Sequence, residues 1–93
     1  MNRHDKINKE TAKISWISFQ PLFASGKIIY VDKSLDLIKV AMVFIDNDHY
    51  QVQSWIDSGF INKVLDEQAI SWHKNKVYLW ANVVKPWLLV QET

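Results

Sequence analysis

A chain of 93 residues with a formal net charge of +1 is one domain by length, and its charge is too small to steer it toward nucleic acid or anionic lipid. Cysteine is absent, which excludes a disulfide framework, a thiolate zinc site and a thiol nucleophile. Five tryptophans, four phenylalanines and three tyrosines supply the bulk that a short chain needs to build a core. The polar start, Met1 to Lys6, lacks the apolar segment of a signal peptide. The longest nearly apolar run, Val40 to Ile45, falls far short of the roughly 20 residues of a membrane span. A cytoplasmic protein is the expectation.

In chain order, Asp5 to Ala24 carries a helical stripe of Ile7, Thr11, Ile14 and Leu22, widened by Trp16, Phe19 and Phe23. Pro21 predicts a kink or break near Phe19–Gln20, and Gly26 closes the element. Lys27 to Val31 reads as a short strand. Asp32-Lys33-Ser34 is turn-like, with Ser34 placed to cap Leu35 to Ile45. That segment is apolar on nearly every side, so a buried strand and a buried helix both fit. Its length and the spacing of Leu35, Ile38, Met42 and Ile45 favour helix. Asp46-Asn47-Asp48 caps a helix from His49 to Asp57, which Gly59 ends.

Phe60 to Val64 reads as a second strand and Asp66 to about Lys74 as a short helix. Asn75-Lys76 is a turn, followed by a strand from Val77 to Val84. Pro86 interrupts the ladder before Trp87 to Gln91 continues extended, which fits an edge strand, a bulge or a corner between two strands. Whether the Lys85–Pro86 bond is cis is open at this level. Both glycines sit in Ser-Gly before a strand, at Ser25-Gly26 and Ser58-Gly59, which fits a helix–Gly–strand–helix unit used twice and equally well the same loop chemistry reached independently. The whole predicts an α+β domain in the order α-β-α-α-β-α-β: a single-layer sheet of about three short strands, packed by about four helices.

The tests for chemistry fail for identifiable reasons. A calcium loop counted from Asp46 would put Gln51 where glycine is needed and Asp57 where the bidentate glutamate belongs. His4, His49 and His73 lack metal-ligand spacing, and no serine sits in a Gly-x-Ser-x-Gly elbow. Two glycines cannot build a phosphate-cradling loop. In a winged-helix reading His49 to Asp57 would enter the DNA groove, but it carries no lysine or arginine, so recognition of DNA by that helix is rejected. No metal, cofactor or catalytic residue is expected.

Several stretches taken together resemble a known family. These are Glu10-Thr11-Ala12-Lys13-Ile14-x-Trp16, Phe23-Ala24-x-Gly26, Leu35-Asp36-Leu37 and Gln68-Ala69-x-x-Trp72. To them is added the closing Leu79-Trp80-Ala81-x-Val83-Val84-x-Pro86-Trp87-x-Leu89-Val90-Gln91-Glu92. The chain resembles the small bacterial proteins grouped as domain of unknown function 2288. The resemblance implies a bacterial, cytoplasmic, stand-alone domain and brings no activity or functional residues with it.

The residues themselves lead to a non-enzymatic binding or protein-interaction module. Its partner is an unidentified protein or a second copy, paired through the C-terminal strand where Trp80, Trp87, Leu88 and Leu89 are concentrated. The rival reading is a small-molecule-binding protein or an acid–base enzyme using carboxylates at helix starts, Asp32, Asp36 and Asp66, in an aromatic-lined pocket. A third is weak binding of single-stranded nucleic acid through lysines and exposed aromatics. The candidate binding residues are Asp36, Gln68, Trp80, Trp87 and Gln91.

Overall fold

Alternation of apolar side chains along each strand decides which way the strands face, and pairing between distant segments decides their order. The computed structural model describes residues 11–93. Within them run β1 (Ala12–Ser15), a 3₁₀ turn (Trp16–Phe19), α1 (Gln20–Ala24), β2 (Ile28–Val31), α2 (Leu37–Ile45) and α3 (His49–Asp57). There follow β3 (Ile61–Lys63), α4 (Asp66–Lys74), β4 (Tyr78–Val84) and β5 (Trp87–Glu92). The α+β class and the four α-helices agree with expectation, but the sheet has five strands rather than about three.

The sheet order is β1-β4-β5-β2-β3. All neighbours are antiparallel except β2 and β5, which run parallel with Ile28 opposite Leu88 and Tyr30 opposite Val90. One extra strand comes from the stretch read as the first helix. Residues 5–10 of that reading lie outside the described residues, and Ala12–Ser15 is strand, paired with Tyr78–Ala81 of β4. Ala12 and Ile14 stand opposite Ala81 and Leu79, and Ile14 packs half-buried against the core that those two residues belong to. Of the expected helix the 3₁₀ turn Trp16–Phe19 and the short α1 remain, and Pro21 falls in the first turn of α1, where a missing N–H costs nothing because first-turn donors have no helical partner.

The other extra strand follows from splitting the C-terminal segment into two hairpin arms. Pro86 marks a corner: β4 and β5 form an antiparallel hairpin around it, and the Lys85–Pro86 bond is cis. This places β5 in the middle of the sheet, with β4 on one side and β2 on the other. The C-terminal strand therefore has no open edge, and the edge pairing expected of it is not available; the outer strands are β1 and β3. Leu88 and Leu89, counted as surplus surface for a partner, are buried in opposite faces of the sheet.

Helices cover both faces. On one, Ile28, Leu79, Ala81, Leu88 and Val90 pack under Trp16, Phe19, Ala69 and Trp72. The rings of Trp16 and Trp72 meet edge-on at 5.1 Å, and Phe23 approaches Trp16 in the same manner at 5.6 Å. Each such pair adds about 0.5–1.5 kcal/mol to the area it buries. On the other face Val31, Ile61, Val84 and Leu89 pack under Leu37, Val40 and Ala41 of α2, so the reading of 35–45 as helix holds. Its cap is Asp36 rather than Ser34. The Asp36 carboxylate accepts from the N–H groups of Ile38 and Lys39, whereas Ser34 donates its own N–H to Asp32 in the preceding turn.

Candidate functional site

The start of β2, the end of β3 and the β4–β5 corner meet at one end of the sheet. Above that end α2 gives way to α3 through a tight elbow. Asn47 there takes φ 56°, a left-handed conformation that asparagine tolerates better than most residues, and Asp48 caps α3 by accepting from the Gln51 N–H at 3.1 Å. An open groove of about 810 Å³ lies between this elbow and the corner. That volume is within the range of small-molecule sites, about 300–1,000 Å³.

Ile29, Ile61, Val84 and Trp87 form the sheet side of the groove. The helix side is the last turn of α2, Phe44 and Ile45, with His49, Val52 and Ile56 from a single face of α3. Ile45 and Ile56 remain 46% and 47% exposed, so the α2–α3 layer does not close over the corner. The polar contributors are Asn47, His49, Asn62, Lys63 and Lys85, and no carboxylate lines the groove among the described residues. Lys63 also borders a smaller hollow, of about 300 Å³, that contains Asp66.

Of the five residues chosen from sequence, only Trp87 lines this groove. Asp36 is occupied as the α2 cap. Gln68 folds back so that its side-chain oxygen accepts the Leu65 N–H at 3.0 Å at the start of α4. Gln91 donates to the carbonyls of Asp32 and Leu35 at 2.9 and 2.7 Å, tying β5 to the loop before α2. Trp80 lies 41% exposed on the sheet, with the Lys13 ammonium 6.0 Å from its ring centroid.

The helix-start acids do not converge on an aromatic pocket either. Asp32 accepts the Ser34 N–H, and hydrogen bonds from the Ser34 backbone and then its side chain hold the carboxyl below its ordinary range. Asp66 opens α4, on another element. Among the described residues no group of three or more histidines or acids could hold a metal ion, and no helix is long and apolar enough to cross a membrane. The residues that sequence reasoning missed are Ile45, His49, Val52, Ile56, Lys63 and Lys85. The one available signal was the i, i+3, i+7 spacing of His49, Val52 and Ile56, which also describes a packed helix face.

Fold and site together define a small α+β domain with a five-stranded mixed sheet and an apolar groove at one end. The chain belongs to the family described as protein of unknown function (DUF2288), which matches residues 2–92. Its fold is similar to the NMR solution structure of PA1075 from Pseudomonas aeruginosa. The TM-score is 0.84 at 39% sequence identity, over 96% of this chain and 82% of that one. No protein of curated function matches the chain.

Proposed function

We propose that this protein is a non-enzymatic binding domain whose site is the groove between the α2–α3 elbow and the β4–β5 corner. The observation that carries this reading is the groove's composition. Apolar side chains from α2, α3 and four strands line about 810 Å³, without a carboxylate or a nucleophile–base pair among the described lining residues. Such a surface releases ordered water when an apolar body enters. Trp87 lines the sheet side and Ile56 the helix side.

The neutral fluorophore N-phenyl-1-naphthylamine tests this directly. It should brighten saturably with the wild-type protein. Ile56→Glu places a charge in the groove at a half-exposed position and should weaken the binding at least about tenfold, the penalty of opposing a carboxylate to an apolar ligand. Ile70→Glu is the control, because Ile70 is 67% exposed on α4 and does not line the groove. If the probe fails to bind, or binds both variants equally, the groove is not the site.

A further inference from the structure

We infer that the groove takes an amphipathic anion: a small molecule with an apolar body and a single carboxylate head. The inference rests on the groove being a binding site and names what it holds. Two lysine side chains line it, Lys63 at the end of β3 and Lys85 at the tip of the β4–β5 corner, and His49 adds an imidazole at the start of α3. The Lys63 ammonium lies beside Gly26, on the boundary between the groove and the smaller hollow. No acid among the described residues lines the groove to oppose the lysines. The acids on the adjoining segments lie outside the lining. Asp48 caps α3, Asp46 follows the last turn of α2, and Asp66 borders the smaller hollow beyond Lys63.

The two lysines come from segments far apart in the chain, yet the sheet brings both to one end. The apolar lining meanwhile belongs to the floor and the helix side. A ligand with an apolar body fits that lining, and an anionic head placed at the rim accepts hydrogen bonds from the lysine ammoniums. A neutral head of the same size forgoes the charge-assisted bonds, and a cationic head is repelled. Both lysines are exposed, so water competes for them and the preference is moderate rather than absolute.

A chain-matched pair, decanoate and decanol, separates the two parts of the inference, with binding followed by amide chemical shifts and by tryptophan fluorescence. Decanoate should bind about tenfold more tightly than decanol, the factor expected of one charge-assisted hydrogen bond near the surface, and added salt should shrink the difference. The Lys63→Gln/Lys85→Gln double variant should bring the ratio of the two affinities close to one. Equal binding of the two probes to the wild-type protein would overturn the anionic ligand and leave the groove standing as an apolar site. A preference that survives in the double variant overturns the assignment to these lysines. Binding of neither probe removes the groove reading together with the inference.

Discussion

Tyr30 shows how one side chain connects two parts of the sheet. It stands on β2 with its ring beside Trp72, 5.8 Å between centroids, and its hydroxyl donates to the Glu92 carboxylate at 2.6 Å. Burial first, then that hydrogen bond, then the charges of Glu92 and Asp32 raise the phenol above its ordinary value of 10.0. The folded chain therefore keeps a proton that the unfolded chain gives up above about pH 10, so stability falls as pH rises through that region. The contribution is fully present below the unfolded value and is lost on the way to the folded one. Urea unfolding at about pH 8.5 and about pH 11 measures it. The wild-type protein should lose more stability between the two than Tyr30→Phe, which starts about 1 kcal/mol less stable because the Glu92 bond is gone. Equal losses would show that Tyr30 is not the titrating group.

At the scale of elements, what could be read from sequence is what local chemistry decides. The helix read as Asp66 to about Lys74 is found at Asp66–Lys74, with acids in its first turn and His73 and Lys74 in its last. The helix at His49–Asp57 was equally legible, because Asp48 and Gly59 mark its two ends. The strand Ala12–Ser15 was not. Its conformation comes from pairing with β4, more than sixty residues later in the chain, and two apolar residues in alternation are too weak a signal against a helical stripe. The groove was illegible for the same reason: its lysines and its apolar lining are assembled by strand order. Capping lies between these cases. Ser34 and Asp36 are both able caps by composition, and the choice falls to Asp36 because Ser34 is drawn into the Asp32 turn. Asp36→Ala should therefore destabilise the protein by about 1 kcal/mol, whereas Ser34→Ala should cost a few tenths at most. Urea midpoints of the two variants compare them, and a larger loss for Ser34→Ala would restore the expected cap.

The whole molecule depends on its last strand in a way that the linear order conceals. β5 is central: it pairs along its length with β4 and shares a parallel ladder with β2, whose Ile28 lies opposite Leu88. It also feeds both cores at once, Leu88 and Val90 to one face and Leu89 to the other. Without it the sheet separates into β1–β4 and β2–β3, neither joined to the other by backbone hydrogen bonds. Two-stranded ribbons are at best marginal in water, so neither part should persist alone. A chain ending at Pro86 is thus expected to lose the fold cooperatively rather than shed one strand. Near-ultraviolet circular dichroism detects this, since Trp16 and Trp72 are ordered only by the intact core. The truncated chain should lack the tryptophan bands of the full one, and a peptide spanning residues 87–93 supplied in excess should restore them only if the remaining strands can still offer both neighbours. Retention of native bands without the peptide would mean that α2 and α4 hold the sheet together through their packing, and that β5's central position is not what makes the fold cooperative.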